Sequence, residues 1–407
     1  MKIAVIGGGA AGMFASAFAS TKNAEVHLYE KNEKLGKKIY ITGKGRCNFT
    51  NLCDVKTFTE NVVSNPKFIY GAINKFTPQD VVDFFENNGL KTKIERGNRA
   101  FPLSDKASDV TKTLERVLHK NKVNIHLNTQ ILRLEYQENS VLLHTISDII
   151  SFDKVIIATG GLSYSATGST GDGLKWAKDL KINTVDTVPS LCELKTKQDF
   201  SSLAGISLKN VTLSTKLDGA KKPIELFGEM LFTHEGVSGP IVLSMSAKIN
   251  RQKFPVQFNL DFKPALTRQH LDERLLRDFK ANSNKDFGNY LPELLPSGLC
   301  KTIAQLSKIP LDKKIHQISS VERNSLLDVL KAFPLTIVRL ADMQQAIVTA
   351  GGIDVKEINP ATMQCKKHPN LYFAGEILDV DAYTGGFNLQ IAFATGRLAG
   401  LSALEAD

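Results

Sequence analysis

The N-terminal stretch Lys2–Gly12 constrains the fold of this chain more than any other. Its first residues are mostly apolar and predict a short buried strand, after which Gly7, Gly9 and Gly12 match the spacing G-x-G-x-x-G. In such a turn the first glycine permits the sharp bend, the second lets a pyrophosphate approach the backbone, and the third lets the next helix pack on the strand. A helix beginning at Ala10 would offer free N–H groups and the positive end of its dipole to a phosphate.

A second predicted strand, Glu25–Tyr29, ends at the acid Glu30. An acid at this position of a Rossmann unit accepts hydrogen bonds from a ribose hydroxyl. A glycine turn alone is weak evidence of function, because any tight strand–helix connection can produce it. The complete series of strand, turn, helix, strand and terminal acid predicts a dinucleotide-binding unit.

Length and composition describe an ordinary globular protein. The 407 residues are enough for two or three domains, and 42% are hydrophobic and 23% charged. No apolar run reaches the length of a membrane span, and the predicted first strand leaves no room for a signal peptide, so we expect a cytoplasmic location. The five cysteines include no C-x-x-C pair, which argues against a redox dithiol and a zinc site. The net charge of +9 suits an anionic partner such as nucleic acid, although many soluble enzymes are equally basic.

The segment 31–51 is basic and rich in glycine. It holds six Lys and Arg residues against one acid, and it includes the run Gly43-Lys44-Gly45-Arg46-Cys47-Asn48-Phe49-Thr50-Asn51. Its glycines allow the backbone to lie close to a ligand, and its cations suit a phosphate. A solvated basic loop would not require so specific a sequence, so we predict a cofactor contact here.

The last part of the chain completes the first domain. Lys154–Gly161 predicts a buried strand that ends in glycines, and Asn370–Glu376 predicts another that ends at a glycine and an acid. Asp379 follows, and a helix opens at Gly386. An acid here can hold ribityl hydroxyls, and the helix N-terminus can stabilise negative charge on a reduced flavin ring. An N-terminal dinucleotide turn completed by a C-terminal acid and helix is the arrangement of FAD proteins, and a nicotinamide-only dehydrogenase would not need it.

The middle of the chain predicts an insert. Alternating strands from about residue 190 indicate a β-rich part, and the charged, amphipathic stretch 266–330 predicts a small helical part, with a net charge of +3 when Lys331 is included. A solvated helical face explains that charge at least as well as an RNA-binding face does. We assign residues 1–190 and 353–407 to the first domain, 191–264 and 337–352 to a barrel-like β-rich domain, and 265–336 to the helical subdomain.

Three stretches together resemble the BaiN/RdsA family of bacterial flavoproteins, which includes YhiN and YtfP. They are Gly43–Asn51, Leu231–Pro240 and Thr349–Gly352 continued through Gly386–Asn388, and the resemblance spans nearly the whole chain. It implies an α/β fold in which a Rossmann-type, glutathione-reductase-like FAD domain carries an inserted β-barrel with a small helical subdomain. It also implies reduction of a carbon–carbon double bond, in one branch of a bile-acid enone and in another of uridine in large-subunit ribosomal RNA.

The candidate site residues follow from the motifs and the resemblance together. For non-covalent FAD they are Gly7, Gly9, Ala10, Ala11, Gly12, Glu30, Lys31, Lys38, Arg46, Cys47, Asn48, Ile131, Thr159, Gly160, Gly161, Gly375, Glu376, Asp379, Gly386, Phe387, Asn388 and Leu389. Two residues compete as proton donor, Cys47 and His234. Each also has a structural interpretation, Cys47 as a buried packing residue and His234 as a hydrogen-bonded turn histidine.

Three functions remain open from the sequence. The first is an FAD-dependent reductase in which NAD(P)H binds transiently, because the chain has only one Rossmann fingerprint; the basic balance favours uridine in ribosomal RNA over a steroid. The second is an oxidase or dehydrogenase of a small amine or acid. The third is a non-catalytic, flavin-stabilised RNA-binding factor. The oligomeric state is left open.

Overall fold

The computed structural model describes residues 1–20 and 24–405 of the chain. The strands are β1 Lys2–Ile6, β2 Glu25–Tyr29, β3 Thr50–Asn51, β4 Thr92–Glu95, β5 Arg99–Pro102, β6 Asn124–His126, β7 Arg133–Gln137, β8 Ser140–His144, β9 Ile149–Phe152, β10 Lys154–Ile157, β11 Thr184–Ser190, β12 Leu194–Thr196, β13 Ser207–Thr215, β14 Ile224–Phe232, β15 Gly236–Ser238, β16 Val256–Asp261, β17 Phe333–Leu340, β18 Val348–Ile353 and β19 Leu371–Phe373. The helices are α1 Ala10–Ala19, α2 Lys37–Ile41, α3 Val55–Glu60, α4 Pro66–Lys75, α5 Pro78–Asn87, α6 Ala107–Lys120, α7 Asp172–Asp179, α8 Pro240–Ile249, α9 Arg268–Ala281, α10 Phe287–Tyr290, α11 Cys300–Ser307, α12 Ser320–Lys331 and α13 Phe387–Ser402.

The chain divides into two compact units. The first comprises Met1–Ser190 and Asp342–Asp407, and the second comprises Leu191–Ala341. Each unit has its own hydrophobic core. Among the described residues, no helix combines the length and the apolar character that a membrane crossing needs.

The first unit is built on a parallel five-stranded sheet with the order β19-β10-β1-β2-β6. Its central strand is apolar on both faces, and Ile3, Ala4 and Val5 are fully buried, as a sheet covered on both sides requires. In such sheets, ligands bind beyond the carboxyl ends of the strands. The ends of β1, β2, β10 and β19 carry the predicted site segments, so the sheet brings these segments to one edge.

Helices α1 and α13 pack side by side and run in the same direction. An added Cβ at Gly396 would lie 2.3 Å from the carbonyl oxygen of Ala11, and one at Gly400 would lie 2.4 Å from that of Ala15. Glycine at these two positions therefore allows the helix backbones to approach closely. Phe14 and Phe393 fill the core between them, with ring centroids 4.4 Å apart.

The second unit is a closed barrel with a helical part. Its strand order is β12-β15-β14-β13-β16-β17, and α9 to α12 form the helical part between β16 and β17. Alternate residues of β16 are buried, as expected for a strand with one face toward a barrel interior. The predicted fold class, an α/β Rossmann-type domain with an inserted β-barrel and a small helical subdomain, is confirmed.

The boundary of the insert differs from the one that we assigned. Residues 342–352 lie in the first unit, not in the barrel, because β18 pairs with β11 of that unit. The barrel instead uses the whole of β17, which begins at Phe333, inside the predicted helical subdomain. The sequence of β18 is a buried apolar run. Such a run predicts a strand but does not show which sheet the strand joins, so the boundary could not be predicted from it.

Candidate functional site

The glycines of the turn after β1 have two different roles. Gly7 has a left-handed φ of +104°, and a Cβ there would lie 2.5 Å from the carbonyl oxygen of Ala158; a Cβ at Gly12 would lie 1.8 Å from the carbonyl oxygen of Gly7. These two glycines are needed for packing. Gly9 is different, because its φ is −81° and an added Cβ would meet nothing within 4 Å. The turn therefore leaves open space beside Gly9, at the N-terminus of α1, where an anion is stabilised.

Glu30 is held in place at the end of β2. Its side chain is 8% exposed, and its carboxylate accepts hydrogen bonds from the backbone N–H of Gly8 at 2.8 Å and from the backbone and side-chain N–H groups of Asn32 at 2.8 and 2.6 Å. A carboxylate has about four lone-pair positions. One acceptor position thus remains for a ligand hydroxyl close to the glycine turn.

The segment after β2 has a strained backbone. Gly43, Lys44, Gly45 and Cys47 all have left-handed φ angles between 57° and 85°. Left-handed backbone costs a non-glycine residue about 1–2 kcal/mol and is concentrated at ligand sites. The conformation supports the prediction of a specific role for this segment.

The three cations of this segment that we predicted as cofactor contacts, Lys31, Lys38 and Arg46, are ion-paired in this structure. Lys31 pairs with Asp172 at 2.7 Å, Lys38 pairs with Glu376 at 2.6 Å, and the guanidinium of Arg46 contacts Asp105 at 2.6 Å and also Glu95. The hydrogen bonds that the Arg46 guanidinium donates to Glu95 and Asp105 raise its pKa further. We predicted that these cations contact a phosphate of the cofactor, and in this structure they fix the segment to carboxylates of neighbouring elements.

A polar network joins three of the predicted segments. Glu376 accepts hydrogen bonds from Lys38 at 2.6 Å, from Ser163 Oγ at 2.8 Å and from the backbone N–H of Thr349 at 2.9 Å. Thr349 Oγ1 in turn accepts from the backbone N–H groups of Leu162 and Ser163, at 2.8 and 3.0 Å. Ser163 and Thr349 were not among the predicted site residues. Their only sequence signal was their position inside or beside glycine-containing motifs.

Two predicted residues carry buried polar atoms without partners. Within the part of the chain that the structure describes, Asn48 Oδ1 and Thr159 Oγ1 are buried and make no hydrogen bond. An unsatisfied buried polar atom costs about 1–3 kcal/mol, so such atoms are rare unless a ligand satisfies them. A polar cofactor at the sheet edge would supply the missing partners.

The residues around the N-terminus of α13 are also held firmly by their neighbours. Gly386 has a φ of +100°, and a Cβ there would lie 2.5 Å from the backbone of Thr50. The side chain of Asn388 accepts from the N–H of Ala382 at 3.0 Å and donates to its carbonyl oxygen at 2.8 Å, which fixes the chain before the helix. Phe387 is buried, and Leu389 is partly buried. Asp379 is 9% exposed and accepts from the side-chain N–H of Asn65 at 2.9 Å.

The two helix N-termini at this edge are offset along the helix axis. Because Gly396 lies against Ala11 and α13 begins at Phe387, the N-terminus of α13 extends about eight residues, or ~12 Å, beyond that of α1. Two positive helix ends at this separation suit an elongated ligand with an anionic centre and a distant electron-accepting ring. The glycine turn, the partnerless polar atoms and the two helix ends fit FAD.

The remaining predicted residues have varied surroundings. Ala10 and Ala11 form the first turn of α1, and Gly375 contacts Ala11 closely, since an added Cβ would lie 2.6 Å from that of Ala11. Gly160 and Gly161 stand against Ser169 and Thr349. Ile131 is buried in the core of the first unit.

The two proton-donor candidates differ in accessibility. Cys47 is fully buried, and burial raises the pKa of its thiol to about 12. His234 is exposed in the turn between β14 and β15, and its ring has no hydrogen-bond partner among residues 1–20 and 24–405. Its neighbours hold the turn instead, since Thr233 donates to Glu193 and Glu235 pairs with Lys195. This arrangement does not match the interpretation of His234 as a hydrogen-bonded turn histidine.

The fold and the site define a class, the FAD-dependent oxidoreductases. The chain matches the HI0933-like protein Rossmann domain over residues 1–402. It belongs to this family, and the resemblance predicted from the motifs is confirmed.

Relatives of known activity match nearly the whole chain. A 3-dehydro-bile acid delta(4,6)-reductase of Clostridium scindens is 31% identical over 99% of both chains. A ribosomal RNA dihydrouridine synthase of Escherichia coli is 32% identical over 96% of this chain and 95% of the relative. A protein of the same name from Haemophilus influenzae is 30% identical over 98% of this chain and 97% of the relative. These relatives are named as a reductase and two synthases. The chain is likewise an enzyme, of the oxidoreductase class that the fold and the site define.

Solved structures share the fold at low identity. A 3-ketosteroid-delta4-(5alpha)-dehydrogenase from Rhodococcus jostii covers 99% of this chain with a TM-score of 0.53 and 14% identity, and the match spans 96% of that structure. A flavocytochrome c3 fumarate reductase covers 99% of this chain with a TM-score of 0.52 and 15% identity, over 78% of its own length. At such identities the likeness shows the fold alone.

Proposed function

We propose that this protein is an FAD-dependent reductase that uses NAD(P)H to reduce a uridine of large-subunit ribosomal RNA to dihydrouridine. The observation that carries the choice of substrate is the distribution of charge. The second unit holds 22 Lys and Arg against 15 Asp and Glu, a net of +7, whereas the first unit holds 29 against 27, a net of +2. A strongly basic domain attached to a flavin domain suits a polyanionic substrate better than a steroid. Two relatives named for this activity support the same choice.

The residues of the first unit would hold the cofactor. The N–H groups of α1 beside Gly9 bind the pyrophosphate, Glu30 accepts from a ribose hydroxyl, and Asn48 and Thr159 gain partners. The N-terminus of α13 stabilises negative charge on the ring. FAD supplies a carrier that takes two electrons from NAD(P)H and passes them to a carbon–carbon double bond. NAD(P)H binds transiently, because one Rossmann fingerprint serves the FAD.

The protein must also deliver a proton to the reduced double bond. A buried thiol with a pKa near 12 gives up a proton poorly, so we assign Cys47 a packing role. His234 has an exposed ring with no competing hydrogen bond, and a ring N–H can donate a proton to a substrate. We propose His234 as the proton donor.

A small-molecule enone is the alternative substrate. The bile-acid reductase is as similar to this chain as the RNA-modifying relatives are, and an amine or acid oxidase would use the same fold. The location that fits the RNA substrate is the cytoplasm, where ribosomal RNA is modified.

Deleting the gene tests the choice of substrate. We expect one dihydrouridine to disappear from large-subunit ribosomal RNA, and a plasmid copy of the gene to restore it, as measured by mass spectrometry of nuclease digests. Equal dihydrouridine content in the deletion and parent strains would contradict the RNA proposal and favour the enone.

A further inference from the structure

We propose that one end of the insert barrel binds the phosphate backbone of the RNA. This surface, the barrel-end patch, consists of Lys216, Lys221, Lys222 and Lys253. The inference rests on the proposed function, because it takes RNA as the substrate, and it names the part of the chain that docks it.

Strand register brings these lysines to the same end of the barrel. Strands β13 and β14 pair up to Thr215 and Ile224, so residues 216–223 form the tip of their hairpin. Strand β16 is antiparallel to β13, with Ser214 opposite Asn259, and Thr215 Oγ1 donates to the carbonyl oxygen of Gln257 at 2.7 Å. The chain that precedes Val256 therefore leaves the barrel beside the hairpin tip, and it carries Lys253.

The four lysines are exposed and unpaired. Within the described residues, none of them has an ion pair or a hydrogen bond, and Asp218 is the acid of the hairpin tip. Lys248 and Arg251 add positive charge just before Lys253 and make contacts of their own. Like charges held close together repel each other, and a bound polyanion relieves that repulsion and releases counterions.

The helical part shares this property only in part, because it holds four exposed, unpaired cations (Arg277, Lys280, Lys301 and Lys308) beside many that are ion-paired. In the helical part, cations pair with acids of the same unit in Arg268–Asp328, Lys285–Glu293, Lys313–Glu322, Lys314–Asp286 and Arg323–Asp272. The cations Lys31, Lys38 and Arg46 of the first unit are paired as well. Ion pairing thus reduces the free positive charge of the two regions whose sequences suggested an RNA surface, whereas all four lysines of the barrel-end patch remain unpaired.

An aromatic residue lies on the outer face of the same hairpin. Phe227 is 65% exposed on β14, opposite Thr212 of β13 and flanked by Glu225 and Glu229. Exposed aromatic rings beside cationic grooves stack on unpaired bases. The two acids repel phosphate, so we place a base on the ring of Phe227 and the RNA backbone at the lysines.

The test compares two quadruple variants of the holoenzyme. The first changes Lys216, Lys221, Lys222 and Lys253 to Gln, and the control changes four other exposed, unpaired cations of the insert, Arg277, Lys280, Lys301 and Lys308, to Gln. The probe is a fluorescent single-stranded RNA with the sequence of the modified ribosomal segment, titrated at several salt concentrations. We expect the patch variant to bind the RNA at least about tenfold more weakly at low salt. The slope of the logarithm of its binding constant against the logarithm of the salt concentration (the salt slope) should become smaller in magnitude by about 3, since each lost phosphate contact removes ~0.7. The control variant should keep most of this slope.

Phe227→Ala separates stacking from charge. We expect about fivefold weaker RNA binding with an unchanged salt slope. Reduction of the flavin by NADPH should be unaffected in all three variants, which shows that the FAD domain is intact. Equal losses in the patch variant and the control would overturn the assignment of the surface, and so would normal RNA affinity in the patch variant.

The same variants distinguish failure of the surface from failure of the proposed function. If the deletion strain lacks dihydrouridine and the patch variant restores it as efficiently as the wild type, the surface is wrong and the function stands. If wild-type protein binds RNA through the patch but the deletion strain keeps its dihydrouridine, the surface stands and the protein acts on RNA in another way. If wild-type protein does not bind the RNA, the surface proposal fails, and the dihydrouridine content of the deletion strain decides whether the function stands.

Discussion

A Gly9→Val variant is expected to fold normally and to purify without FAD. The backbone at Gly9 has a φ of −81°, which valine adopts without strain, and no atom lies within 4 Å of the added Cβ. The stability of the apoprotein should therefore change by no more than about 1 kcal/mol, the usual cost of losing a preferred residue at a helix N-cap. The valine side chain would occupy the space beside the N-terminus of α1, where the pyrophosphate binds. Loss of two charge-assisted hydrogen bonds alone weakens binding at least ~100-fold.

Gly12→Ala is the matched contrast to this variant. Its Cβ would lie 1.8 Å from the carbonyl oxygen of Gly7, so we expect a loss of stability of more than about 3 kcal/mol in the apoprotein itself. Thermal unfolding of apoproteins and flavin absorbance after reconstitution measure both effects. Full flavin occupancy in folded Gly9→Val protein would show that the pyrophosphate binds elsewhere.

His234→Gln is expected to slow substrate reduction by about 10²–10⁴-fold, the usual contribution of a general acid. Glutamine keeps a polar side chain in the turn, and Thr233 and Glu235 hold the turn through their own partners, so folding should be preserved. Reduction of the flavin by NADPH does not need this proton. It should therefore proceed at the wild-type rate in stopped-flow absorbance, whereas the following reoxidation by substrate should be slow.

Cys47→Ala is the control for the same measurement. A packing residue can be shortened without affecting the chemistry, so both half-reactions should keep their rates in the folded variant. Slow reoxidation in Cys47→Ala, with normal rates in His234→Gln, would reverse the two assignments.

Local sequence patterns predicted the first unit well because its elements are strongly marked. The glycine turn, the apolar strand before it and the acid after β2 are consecutive in the chain, and their physical roles depend on neighbours that are close in sequence. Gly9 was predicted as the position of ligand approach, and the structure leaves open space at that position.

The remaining predictions were limited by contacts between residues that are far apart in the sequence. The positive charge of Lys31, Lys38 and Arg46 was visible in the sequence, but their carboxylate partners Asp172, Glu376 and Asp105 lie 59 to 338 residues away. The same limit applies to β18, because the sequence alone does not show which strand it pairs with. Ser163 and Thr349 were missed because an ordinary hydroxyl gains importance only through the carboxylate that it contacts.

The most direct test of the central claim uses ribosomal RNA from the deletion strain as substrate. Protein reconstituted with FAD is incubated with this RNA and NADPH or NADH without oxygen, and the RNA is digested and analysed by mass spectrometry. We expect one uridine of the large-subunit RNA to gain two hydrogens, and neither Gly9→Val nor His234→Gln protein to produce comparable product. Unchanged RNA, together with rapid reduction of a steroid enone by the same preparation, would contradict this expectation.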